Sequence, residues 1–171
     1  MSPTVSILLP YSPDHADRAD LLDVITSLDS RASSLSQFSV ESTTFLGCGT
    51  VSAEGARPFS LAFQDFEAED EASRSALKAE FFFLPFAEIT AAAHANRPVD
   101  HRILADLARF CAKRYGGIIN FGCDLGVQRA TVGKLVRIPF SVQPPLASFF
   151  HVGDLTFLKH WLEQPQFHMC K

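Results

Sequence analysis

Residues Val99 to Gly122 read VDHRILADLARFCAKRYGGIINFG: an amphipathic segment, a glycine pair and a short apolar run. Ile103, Leu104, Leu107, Ala108, Phe110 and Cys111 recur at i, i+3/i+4 and i+7/i+8, which lays one wide apolar stripe along a helix. Arg102, Asp106, Arg109 and Lys113 fall mostly on the opposite side. Asp100 stands at the start. There a carboxylate accepts from unpaired first-turn N–H groups and suits the positive end of the helix dipole. Lys113 and Arg114 stand in the last turn, where cations suit the negative end. Gly116 or Gly117 supplies the left-handed residue that stops the helix. Ile118 to Phe121 then reads as a buried strand. A helix that feeds a buried strand through two glycines needs a sheet to pack on.

Upstream of this segment, Val5, Ile7 and Leu9 alternate with Ser6 and Leu8 as a first strand, ended by Pro10. Asp14 or Asp17 starts a helix carrying Leu21, Leu22, Ile25 and Leu28. Ser30 to Ser36 is a serine-rich loop. Gln37 to Ser42 reads as a strand through Phe38 and Val40. Phe45 to Val51 reads as a strand broken by a bend or bulge at Gly47 and Gly49. Phe59, Leu61 and Phe63 alternate with Ser60, Ala62 and Gln64 as a half-buried strand. Ala72 to Ala79 is a short helix, and Glu80 to Leu84 an aromatic strand closed by Pro85. Residues 86–96 fit a helix by alanine content and a strand by the alternation of Ile89, Ala91 and Ala93.

Downstream, Cys123 to Thr131 is a loop, and Val132 to Phe140 alternates as a strand whose Pro139 suits an edge. Pro144–Pro145 marks a turn and Phe149 to Val152 a further strand. Asp154 caps a last helix bearing Leu155, Leu158 and Leu162, with Phe157 and Trp161 beside them and Pro165 as its stop. Phe167 and Met169 give the final residues something to bury. The expected fold is a single α+β domain over residues 1–171. Its sheet is mixed, mostly antiparallel and of five to seven strands, packed by helices near 14–30, 100–114 and 154–163.

The length of 171 residues suits one domain with a real core. Sixteen Phe against two Tyr and one Trp place most rings inside, because Phe has no polar handle. A net charge of −4 and a pI near 5.8 argue against nucleic-acid binding and favour a basic protein partner. Cys48, Cys111, Cys123 and Cys170 form no CxxC and no metal spacing, which reads as buried thiols in a reducing compartment. The first residues lack a basic n-region, and no run approaches the roughly 18 apolar residues of a membrane span. The expectation is therefore a soluble cytoplasmic protein, monomeric or homodimeric, that binds neither membrane nor nucleic acid.

The sharpest surface signal is acidic. Asp65, Glu67, Glu69, Asp70 and Glu71 place five carboxylates in seven positions. Such a run is either a solvated turn leading into a helix or a patch that docks against a basic cleft; it is the candidate partner-binding site. His151 and Asp154, with His168 and with Asp100–His101, are the residue types of a divalent metal site and the basis of an alternative metal-dependent hydrolase. Their spacing has little specificity, and Asp154 already has a capping role. Cys123 follows Phe121–Gly122 at a strand end, where a nucleophile can stand, yet no nucleophile elbow such as G-x-S-x-G is present. Gly116–Gly117 is no phosphate-binding G-x-G-x-x-G. These readings assign no catalytic residue, no metal and no cofactor.

Four pieces carry a resemblance. They are DHRIL (Asp100–Leu104), RYGGIINFG (Arg114–Gly122), HVGDLTFLKHWL (His151–Leu162) and FHMCK (Phe167–Lys171). Together they resemble a bacterial family of small uncharacterised cytosolic proteins similar to the immunity proteins encoded beside polymorphic toxins. The resemblance covers the C-terminal half of the chain. It implies a non-enzymatic protein that neutralises a cognate secreted toxin by direct binding, occluding its active site. A homo-oligomeric interaction domain is the remaining reading.

Overall fold

The computed structural model describes residues 2–29, 32, 34–46, 49, 51–67, 71–128, 130–141 and 147–170. Among these described residues seven strands, β1 (Thr4–Leu9), β2 (Phe38–Ser42), β3 (Ser52–Asp65), β4 (Ala87–Ala93), β5 (Ile118–Asn120), β6 (Leu135–Ser141) and β7 (Ala147–Gly153), form one sheet. Its order is β2-β3-β4-β1-β5-β7-β6, and every ladder is antiparallel. Among the described residues four helices pack on it: α1 (His15–Leu28), α2 (Glu71–Phe81), α3 (Pro98–Tyr115) and α4 (Leu155–Leu162). The α+β architecture is as the sequence suggests.

β1 lies at the centre because it has something to bury on both faces. Val5, Ile7 and Leu9 point into the larger core, with Leu21 and Ile25 of α1, Ile103, Leu104 and Leu107 of α3, and Leu158 and Trp161 of α4. Leu8 points the other way, into a smaller core of Leu77, Ile118, Ile138 and Val152 beneath α2. Three helices thus cover one face, and α2 covers the β5-β7-β6 half of the other. The Ser73 hydroxyl donates to the carbonyl of Pro139, fastening α2 to the edge strand β6. A proline tolerates that edge because no further strand needs its N–H.

The helix ends follow from local chemistry. Asp14 caps α1, accepting from the Asp17 N–H at 2.9 Å while the Asp17 carboxylate accepts from the Asp14 N–H, a reciprocal capping box. In α3 the cap position falls to Arg97, and Asp100 reaches back to accept from the Arg97 N–H at 2.7 Å. Gly116 ends α3 at φ 67°, the left-handed conformation that glycine adopts without strain. Gly117 then passes so close to β1 that a Cβ would lie 2.8 Å from the Leu8 carbonyl. Tyr115 joins α3 to α1 by donating to the Asp17 carbonyl at 3.0 Å; burial, helped by Cys111, pushes its phenol up to about 12.

Several local expectations are corrected. Phe45 to Val51 is not a strand: Thr44–Leu46 is a 3-10 turn, and residues 47, 48 and 50 lie outside the described residues. Glu80 to Leu84 is not a strand either. Glu80 and Phe81 finish α2, whose Ala76, Leu77 and Phe81 pack on the smaller core, so burial overrides the β-propensity of the aromatic run. Residues 87–93 are strand, which settles the ambiguous stretch. Asp106, opposite the apolar stripe of α3, is nonetheless buried. It is 1% exposed, accepts from the Thr43 hydroxyl at 2.7 Å and meets Arg109 at 3.2 Å. The Pro144–Pro145 turn lies outside the described residues.

Nor are the cysteines all thiols. Cys123 and Cys170 are joined in a disulfide with Cα atoms 5.9 Å apart, Cys111 is buried and not part of this bridge, and Cys48 lies outside the described residues. The bridge ties the loop after β5 to the last residues of the chain. That segment is also held by Thr4 N–H to the Cys170 carbonyl (3.0 Å), Met169 N–H to His101 Nδ1 (2.9 Å) and Trp161 Nε1–H to the His168 carbonyl (3.1 Å). The cytoplasmic expectation rested partly on reduced cysteines, and the bridge removes that support. No helix among the described residues is long and apolar enough to cross a membrane.

Candidate functional site

The half of the second face built from β3, β4 and β1 carries no helix among the described residues. Register determines what it displays. Ser60, Ala62 and Gln64 of β3 lie opposite Ala92, Thr90 and Glu88 of β4, and Thr90 lies opposite Ser6 of β1. Phe59, Leu61, Ile89 and Ala91, one residue out of phase, fill the larger core. The open face is therefore small and polar. Ser6 and Thr90 hydroxyls bond at 3.2 Å, and His94 Nε2 bonds the Ser60 hydroxyl at 3.1 Å.

At one end this face turns acidic. β3 finishes at Asp65, opposite Ala87, and the Phe66 N–H continues the ladder to the Phe86 carbonyl at 3.0 Å. Gln64, Asp65, Glu67 and Glu88 line an open cleft of about 450 Å³. The Gln64 amide donates to the Glu88 carboxylate, which also accepts from the Thr90 hydroxyl at 3.4 Å. Asp65 and Glu67 are exposed. Glu71 opens α2, where its charge suits the helix dipole, with Arg74 3.6 Å away. Glu69 and Asp70 lie outside the described residues. Of the five carboxylates singled out in the sequence, the structure thus gathers Asp65 and Glu67 at the cleft and sets Glu71 at the head of α2. It adds Glu88, which the ambiguity over residues 86–96 had hidden; a strand reading places Glu88 on the Thr90 face.

Among the described residues three aromatic side chains are exposed, and one of them, Phe86, stands at this end of the sheet through its bond to Phe66. Phe82 is 89% exposed, Phe86 66% and Tyr11 41%. The Phe86 N–H donates to the Leu9 carbonyl at 2.9 Å, which sets Phe86 beside the chain as it leaves β1 toward Tyr11. Phe82 stops α2 with φ 62°, its N–H donating to the Lys78 carbonyl at 3.0 Å. This is the position where glycine usually stands. A side chain there costs about 1–2 kcal/mol in backbone strain. Lys134, ion-paired with Glu80 at 3.0 Å, lies 5.6 Å from the Phe82 ring centroid.

The residues proposed for a metal or a nucleophile are used elsewhere. His151 is buried, and its Nδ1 accepts from the Leu125 N–H at 3.0 Å, with Asp124 at 3.5 Å. Burial pulls its pKa down, and the Arg137 charge adds to this against an opposing pull from Asp124. Asp154 caps α4 through the Phe157 N–H at 2.7 Å. His168 is exposed, its Nδ1 3.0 Å from the Gln166 carbonyl. Asp100 is gripped by Arg57, and His101 lies between Met169 and Asn96. Among the described residues no group of three His, Cys, Asp or Glu is placed to share a metal ion. Cys123, the nucleophile candidate, is half of the disulfide.

Fold and surface together define an α+β domain with an antiparallel sheet, part of whose second face is, among the described residues, open, polar and acidic at one end. The whole chain, residues 1–171, matches the DUF6368 family, described as a family of unknown function, and belongs to it. No curated protein and no solved structure matches the chain.

Proposed function

We propose that this protein is an immunity protein. It neutralises a cognate bacterial toxin by binding the toxin's basic active-site cleft. The observation that carries this reading is the acidic cleft of Asp65, Glu67 and Glu88 at the end of a sheet face that no helix covers among the described residues. Carboxylates projecting from a rigid ladder raise the association rate with a cationic cleft and disfavour acidic partners. The excess of acidic residues over the whole chain acts in the same direction. The resemblance of the C-terminal half to immunity proteins supplies the kind of partner.

Co-expression tests it. The toxin domain encoded next to this gene is produced in a bacterial host, alone and together with this protein. The reading expects killing by the toxin alone and survival with the protein present. Equal killing in both cultures, or no toxin gene beside this one, rejects it.

A further inference from the structure

We infer that Phe82 and Phe86 are the anchors of a protein interface, and that the partner offers an apolar pocket rimmed by Lys or Arg. This rests on the binding role proposed above and names the residues that would hold the partner. Phe82 is almost fully exposed in a backbone conformation that disfavours any side chain, so the fold gives up stability to present this ring. The loop from Phe82 to Phe86 is held at both ends by backbone hydrogen bonds, Phe82 to Lys78 and Phe86 to Leu9 and Phe66. Pro85 within it is buried. Two rings on a fixed loop lose little conformational freedom on docking, which is what an interface hot spot requires.

Charge decides between occupants. Phe86 pairs through its carbonyl with Phe66, which stands between Asp65 and Glu67, and Glu88 follows Phe86 by two residues, while Lys134 beside Phe82 is already paired with Glu80. A two-fold dimer through this patch would set those carboxylates against their own copies. An anionic membrane would repel them. A cationic protein surface complements them.

The test places a photoreactive benzoylphenylalanine at position 86 in the native bacterium and identifies what is crosslinked. The crosslinked protein is then purified and titrated against the unmodified protein and against F82G and F86S. The inference expects a basic protein, with Kd weakened about tenfold to a hundredfold by each substitution. It also expects F82G to raise the melting temperature by a few degrees as it weakens binding, because glycine relieves the strain. A ring kept only for structure would lower the melting temperature when replaced by glycine and leave Kd unchanged. Crosslinks to a second copy, to lipid, to an acidic protein or to nothing overturn the inference, as does an unchanged Kd. If the neighbouring toxin binds in a charge-dependent way and both phenylalanine variants bind it as tightly, this inference fails and the immunity role stands. If the basic partner is no toxin, the reverse holds.

Discussion

The guanidinium of Arg57 grips the carboxylate of Asp100 in a bidentate pair, Nε to Oδ1 at 2.7 Å and Nη2 to Oδ2 at 2.8 Å. It joins residues 43 positions apart and clamps the first turn of α3 onto β3. Asp100 is fully buried and also accepts from the Arg97 N–H. Burial pushes its carboxyl up, but the bonds from Arg57 and Arg97 together with the Arg57 charge outweigh it and hold the pKa below the ordinary carboxylate value.

Removing one partner strands the other. Asp100→Ala is expected to destabilise the domain by about 3 kcal/mol, the low end for a broken buried pair, because water still reaches the 15% exposed Arg57 side chain. The lowered pKa makes this contribution full above the ordinary value and lost as pH falls below about 4. Urea unfolding of both proteins at pH 7 and pH 3 checks it: the difference between them should shrink in acid.

His151 titrates in the opposite sense. Its Nδ1 must be unprotonated to accept from Leu125, and burial lowers its pKa. The unfolded chain takes up a proton below about pH 6.5 before the folded chain does. This part of the stability is present above that pH and lost as pH falls from 6.5 toward the lowered folded value. Melting temperature should therefore drop between pH 7.5 and pH 5.5. His151→Asn, which keeps an acceptor near Nδ1 and cannot titrate, should flatten that slope.

The Cys123–Cys170 bridge closes a loop with a sequence separation of 47. On the chain-entropy account such a loop stabilises by about 4 kcal/mol. The double variant C123S/C170S, unfolded in denaturant, should lose up to that amount, and added reductant should lower the parent's midpoint and leave the variant's unchanged. Thr4, His101 and Trp161 still hold the last residues, so the variant is expected to fold.

What the sequence revealed follows physical range. The α3 stripe, the Asp14 and Asp154 caps, the Gly116 stop and the β1 alternation are set within a few residues, and all are in place. The misread parts depend on distant partners. The run from Glu80 to Leu84 looks like a strand until the smaller core claims Phe81 for α2. Asp106 falls opposite the apolar stripe, yet it is buried against Thr43, 63 positions away. Cys123 and Cys170 have no local spacing that would pair them. At the candidate site, Asp65 and Glu67 were visible as charge. Glu88 needed the β3–β4 register, and the exposure of Phe82 needed the end of α2.

The most direct test of the whole account is the binding of the neighbouring toxin domain, measured by stopped-flow mixing and calorimetry at low and high salt. The unmodified protein and D65K/E67K/E88K are compared. The account predicts tight, salt-sensitive binding by the first, and for the second an association rate at least about tenfold slower with little salt dependence. Absence of binding, or equal rates and salt slopes for the two proteins, would contradict it.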